Sequence, residues 1–130
     1  MSDPIELARE DARKNKAAAR IAAAERAYSR AAELARSSDN HLALAHALRH
    51  LSDIAREKGA LEKASAHASE AVALYRGSDD RLGLANALRL YALAIPGSDR
   101  AASYWREARD LYSSLDVSAG VSECDAQLGI

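Results

Sequence analysis

The stretch "LALAHALRH", residues 42–50, returns as "LGLANALRL" at residues 82–90. Leu42, Leu44, Ala45, Ala47, Leu48 and Arg49 recur as Leu82, Leu84, Ala85, Ala87, Leu88 and Arg89. Ser38-Asp39 precedes the first copy as Ser78-Asp79 precedes the second. The offset of about 40 residues is the spacing of arrays built from two-helix units. Each such unit leaves an apolar face open, which the next unit covers.

Composition agrees with helices. The chain has 130 residues, enough for one domain over 1–130, and roughly a quarter of them are Ala. There is no Phe and there are only two Pro. Ala is the strongest helix former, whereas the β-branched residues that favour strands are scarce. A net charge of −1 gives no basic field for nucleic acid or an anionic membrane, so neither partner is expected. Cys124 is the single cysteine, which excludes an intrachain disulfide and suits a reducing compartment. The start "SDPIELARED" has no apolar core of a secretory signal, and no apolar run reaches the ~20 residues that span a bilayer. A cytoplasmic location is the expectation.

Turn and cap residues divide the chain. Asp3-Pro4-Ile5-Glu6 opens a helix, with Asp3 as cap, Pro4 in the first turn and Glu6 three residues after the cap. No Gly or Pro then intervenes before Gly59, so 4–37 reads as one long helix or as two broken at Lys14-Asn15-Lys16. Ser37-Ser38-Asp39-Asn40 is a turn cluster. The second helix then runs to about Lys58, where Gly59 supplies a left-handed stop. The third spans about Ala60 to Arg76. Asp79 or Asp80 caps the fourth, which stops before Pro96-Gly97. Ser98 or Asp99 caps the fifth, which runs to about Ser114, and Asp116 to Leu128 forms a short last helix. The connections are short, as in antiparallel helical hairpins. The predicted fold is all-α: an N-terminal helical region over 1–37, repeats over 39–76 and 79–114, and a capping helix over 116–130.

Small and apolar residues keep fixed places inside each unit. The first unit carries Leu48, Leu51, Ser52 and Ala55, then Gly59, then Ala64, Ala68 and Ala71. The second carries Leu88, Tyr91, Ala92 and Ile95, then Ala101, Trp105 and Ala108. An earlier helix has Ala24, Tyr28 and Ala31 at the same internal spacing. Small residues four and seven apart share one face and admit a close neighbour, while the large residue between them fills the gap to the next hairpin. This order resembles the tetratricopeptide repeat, in the longer variant of kinesin light chains and bacterial regulators. The resemblance covers about residues 20–128 and is most specific in "LRHLSDIAREKGALEKA", residues 48–64. It implies an α-solenoid of stacked hairpins. Ala68 departs from the family pattern, standing where an aromatic belongs. The second unit is about three residues shorter at its inter-helix turn, with Gly83 and Gly120 marking the shorter spacing, and Asp11 stands where a first-helix Leu belongs.

The resemblance also implies a concave side lined by the first helix of each hairpin. His46, Arg49, His50 and Asp53 lie off the apolar stripe of one such helix, and Asn86, Arg89, Leu90 and Leu93 hold the corresponding region of the next. These eight residues form the expected peptide-binding groove. Arg49 and Arg89 recur at one repeat position and suit an acidic protein segment, since a guanidinium forks onto a carboxylate. Asn86 is placed to hold a peptide backbone, and Leu90 and Leu93 to floor the groove. The expected function is non-enzymatic protein–protein interaction. One alternative is a homo-oligomeric scaffold. Another is a small metal- or ligand-binding regulator, because His46, His50 and Asp53 share a helical face. The Glu of the H-E-x-x-H motif is absent, and Arg49 beside the pair repels a cation. No glycine-rich phosphate loop and no specific Ser-His-acid order is present, so no catalytic residue and no cofactor is assigned. Cys124 replaces the Ala of the repeated helix and reads as a packing residue.

Overall fold

The computed structural model describes residues 3–130, which form six helices: α1 (Pro4–Ser37), α2 (His41–Glu57), α3 (Leu61–Arg76), α4 (Arg81–Ala94), α5 (Asp99–Ser114) and α6 (Ser118–Leu128). The all-α class expected from composition is the one observed. No helix among the described residues is long and apolar enough to cross a membrane. Of the two possibilities for residues 4–37, the chain takes the single helix. At Lys14-Asn15-Lys16 only Asn15 lowers propensity, the lysines being good helix formers, and none of the three forbids helical angles.

Side chains cap several helices as their types dictate. Asp3 accepts from the Ile5 N–H, Asn40 from Ala43, Asp80 from Gly83 and Ser98 from Arg100. Four helix ends close in the same way. Asn40 N–H reaches Ala35 C=O, Ala60 reaches Ala55, Val117 reaches Tyr112 and Ile130 reaches Asp125. The residue at each corner, Asp39, Gly59, Asp116 or Gly129, has positive φ. This is the Schellman closure, which satisfies carbonyls left over at the helix end.

Successive helices run antiparallel, as their contacts require. Glu25 of α1 pairs with Lys58 just past α2, while Tyr28 stacks on His50. Within α2–α3, Ser52 Oγ donates to the Ala64 carbonyl at 2.8 Å, and His46 meets Tyr75 at the opposite end. Tyr112 bonds Asn86 across α4–α5, and Arg109 pairs with Asp125 across α5–α6. Each helix packs on the next in sequence, and α2 also touches α4.

One main core runs through the helices, from Ala32 and Ala35 of α1 to Cys124 of α6. A second, smaller cluster joins Ala55, Ala64 and Ala94. Alanine lets helix axes approach, so these contacts are tight without large side chains. Trp105 and Ala68, at corresponding repeat positions, are both buried. Two forked ion pairs then tie alternate helices together. Arg36 grips both carboxylate oxygens of Glu70 at 2.7 Å, and Arg76 grips those of Glu107 at 2.6 and 2.7 Å. Arg36 and Arg76 occupy one repeat position, and Glu70 and Glu107 another. The hydrogen bonds from arginine hold both carboxyls below the usual carboxylate range. All four side chains are well exposed, so each pair contributes modestly.

Candidate functional site

Helices α2 and α4 place their repeated segments side by side, and a cleft of about 230 Å³ opens between them. Arg49, His50, Asp53, Asn86, Arg89 and Leu90 line it. The 3.6-residue period puts 49, 50 and 53 on one face of α2 and 86, 89 and 90 on the matching face of α4. Six of the eight residues expected in the groove therefore meet around one space. Leu90 is buried yet belongs to neither core cluster, so its side chain gives the cleft an apolar wall.

Two of the eight are placed elsewhere. His46 turns away from the cleft to α3, where its Nδ1 lies 2.5 Å from the Tyr75 hydroxyl, and its Nε2 lies 3.8 Å from Asp80. Burial raises the Tyr75 pKa, which keeps the phenol protonated and able to donate. Leu93 is half-buried and packs against the main core, one turn beyond the cleft. Neither displacement is visible from helix period alone, because both depend on what the neighbouring helix presents.

The polar groups in the cleft differ in how far their own chain engages them. Arg89 Nε donates to Glu123 of α6 at 2.5 Å, and that hydrogen bond raises the Arg89 pKa. Arg49 has no such carboxylate: its Nε is buried and makes no hydrogen bond among the described residues. Asp53 accepts from Arg56 at 2.6 Å, an i,i+3 pair that offsets its charge within α2. The Tyr112 hydroxyl donates to Asn86 Oδ1 at 2.6 Å, leaving the amide nitrogen as the free, donating end of Asn86. Burial pushes the Tyr112 phenol up to about 12, so this donor persists at any physiological pH.

His50 stacks on Tyr28 with ring centroids 4.5 Å apart and planes within 9°. Desolvation lowers its pKa, and the neighbouring Arg49 charge adds to the effect. Protonation of His50 is therefore harder than that of a free imidazole. Among the described residues, no three His, Cys, Asp or Glu side chains converge as metal ligands. His46 and His50 each have an aromatic partner in place of a common centre.

Cys124 is fully buried, and burial raises its thiol to about 11, with Glu123 and Asp125 adding to the shift. The reactive thiolate is therefore scarce and inaccessible in the native state. A thiol reagent such as DTNB is expected to leave Cys124 unmodified in native protein at pH 8 and to label it within the dead time in denaturant. Rapid native labelling would place Cys124 outside the core.

Comparisons with protein-family models, with curated proteins and with solved structures give no match to this chain.

Proposed function

We propose that the chain is a tetratricopeptide-like array of stacked hairpins that binds an acidic protein segment, without catalysis, in the cleft between α2 and α4. The supporting observation is the meeting of Arg49, His50, Asp53, Asn86, Arg89 and Leu90 around one cleft. The mixture suits an extended segment. Arg49 brings a guanidinium that no carboxylate among the described residues pairs, Asn86 keeps its amide N–H₂ to donate, and Leu90 supplies an apolar wall. Equivalent contacts in successive units support the repeat: Arg36–Glu70 matches Arg76–Glu107, and His46–Tyr75 matches Asn86–Tyr112.

The arginines are expected to contribute unequally. Arg89 is already held by Glu123, whereas Arg49 has its charge in hand for a ligand. Truncating one partly solvated arginine costs under about 1 kcal/mol. Reversing both, as Arg49→Glu with Arg89→Glu, changes the sign of the field and should weaken an acidic segment by roughly tenfold or more. The test is affinity capture from native lysate with wild-type protein and the double variant side by side, followed by titration of the recovered segment as a synthetic peptide. Circular dichroism controls for folding, since Arg89→Glu faces Glu123 directly. Equal affinity for the two proteins would move the binding surface away from this cleft.

A further inference from the structure

Helix α1 outruns the rest of the fold. From Pro4 to Ala23 its residues are exposed, apart from the half-buried Ala17, and its first ties to α2 come at Glu25 and Tyr28. These twenty residues extend about 30 Å at 1.5 Å per residue. In proteins most helical stability comes from packing one face of the helix, and this stretch packs on nothing in its own fold. Leu7 and Ile21 are 46% and 39% exposed, far more than a folded core tolerates.

The face is defined by the helix period. Tyr28, Ala32 and Ala35 pack inward. Tracing the same row outward passes through Ile21, Ala17, Lys14, Glu10 and Leu7. The segment divides by charge. Asp3, Glu6, Glu10 and Asp11 lie toward its start, with Arg9 the one base among them, whereas Arg13, Lys14, Lys16 and Arg20 follow. A segment that is acidic at one end and basic at the other complements a copy of itself laid antiparallel. The two like-charge halves exclude a parallel pair.

We infer that the free half of α1 pairs with the same segment of a second copy as an antiparallel two-helix contact. One register pairs the central charges and fits Leu7, although it sets Ile21 against Asp3 at the ends of the contact. Glu10 of each copy stands opposite Lys14 of the other, Asp11 opposite Arg13, and Leu7 opposite Ala17, large against small. A shift that brings Leu7 opposite Ile21 would instead set the two Lys14 side chains against each other. The symmetry is that of an isologous dimer, in which the same patch serves both partners. Two helices of this length bury less than the ~1,200 Å² lower bound of standard interfaces, so the dimer is weak and sensitive to salt. This surface lies apart from the α2–α4 cleft and is independent of the function proposed for it.

The register makes an experiment decisive. Glu10→Lys places lysine against Lys14 twice in a homodimer, and Lys14→Glu places glutamate against Glu10 twice. An equimolar mixture of the two variants restores both opposite-charge pairs. Sedimentation velocity at low salt should show wild-type protein reversibly dimeric at high micromolar concentration, each variant alone monomeric, and the mixture dimeric again. Raising the salt should dissociate both the wild-type and the mixed dimers. Circular dichroism checks that both variants keep their helices. A monomeric wild-type protein overturns the inference. So does a wild-type dimer that neither variant disturbs, or a mixture that stays monomeric.

Discussion

Trp105→Ala is expected to destabilise the fold by about 3–5 kcal/mol, the range for removing a fully buried large aromatic side chain. Trp105 is 5% exposed and lies in the main core with Leu88, Leu111 and Tyr112. A domain of this kind holds only about 5–15 kcal/mol in total, so the change removes a large share of it. The loss is steep because the surroundings cannot close over the space. The neighbouring small positions Ala101 and Ala108 are already at minimum size, and they belong to helices held by caps and packed seams. Trp105→Phe keeps an aromatic plate at the site and should recover most of the loss. Urea denaturation followed by far-UV circular dichroism is the proper readout, because Trp105 is the sole tryptophan and its removal abolishes the fluorescence signal. A midpoint unchanged within error in the Ala variant would show that the residue does not fill the core.

The helices were legible because their punctuation is chemical and local. Asp3, Asn40, Asp80 and Ser98 cap where their side chains reach backbone N–H groups, and Gly59 adopts the left-handed angle a helix stop needs. The repeat offset likewise brought α2 and α4 into correspondence, and hence named six residues that share one cleft. What stayed hidden depends on groups distant in sequence. His46 and Asn86 look alike as polar residues at one repeat position. Each is in fact claimed by a tyrosine from the end of the following helix, Tyr75 or Tyr112. The Glu123 that holds Arg89 comes from 34 residues further on. The Arg–Glu forks did leave a trace, since Arg36 aligns with Arg76 and Glu70 with Glu107 at the two repeat offsets. That trace becomes informative only when both members of a pair are compared across units.

Replacing Gly120 or Gly83 with alanine is expected to weaken the fold by about 1–3 kcal/mol, although alanine is the better helix former by about 1 kcal/mol. Both glycines lie in the first turn of a helix, where backbone freedom is not needed, and both are pressed by an aromatic ring. A methyl group on Gly120 would stand 2.5–2.7 Å from three carbons of the Tyr112 ring, including the carbon that joins the ring to its Cβ. At Gly83 it would stand 2.4 Å from the Tyr75 ring and 2.8 Å from the Asp80 carboxylate. Neither ring has somewhere to go. Tyr75 and Tyr112 are both buried, and their hydroxyls are fixed on His46 and Asn86. The glycines thus form beds for the tyrosine that ends the preceding helix, beyond marking a shorter repeat spacing. The first unit carries the complementary pair: Ala35 stands where Tyr75 and Tyr112 stand, and Ala43 where Gly83 and Gly120 stand. Size is therefore traded across the corner, small against small in one unit and large against none in the next two. A double-mutant cycle tests this directly. Tyr112→Ala alone leaves a cavity and is costly, but Gly120→Ala added to it should cost nothing or restore a little stability, because the clash partner is gone and the propensity gain remains. Tyr112→Phe keeps the ring and should give no such relief. Additive losses in the Tyr112→Ala, Gly120→Ala cycle would show that the ring does not rest on the glycine and that the two positions are uncoupled.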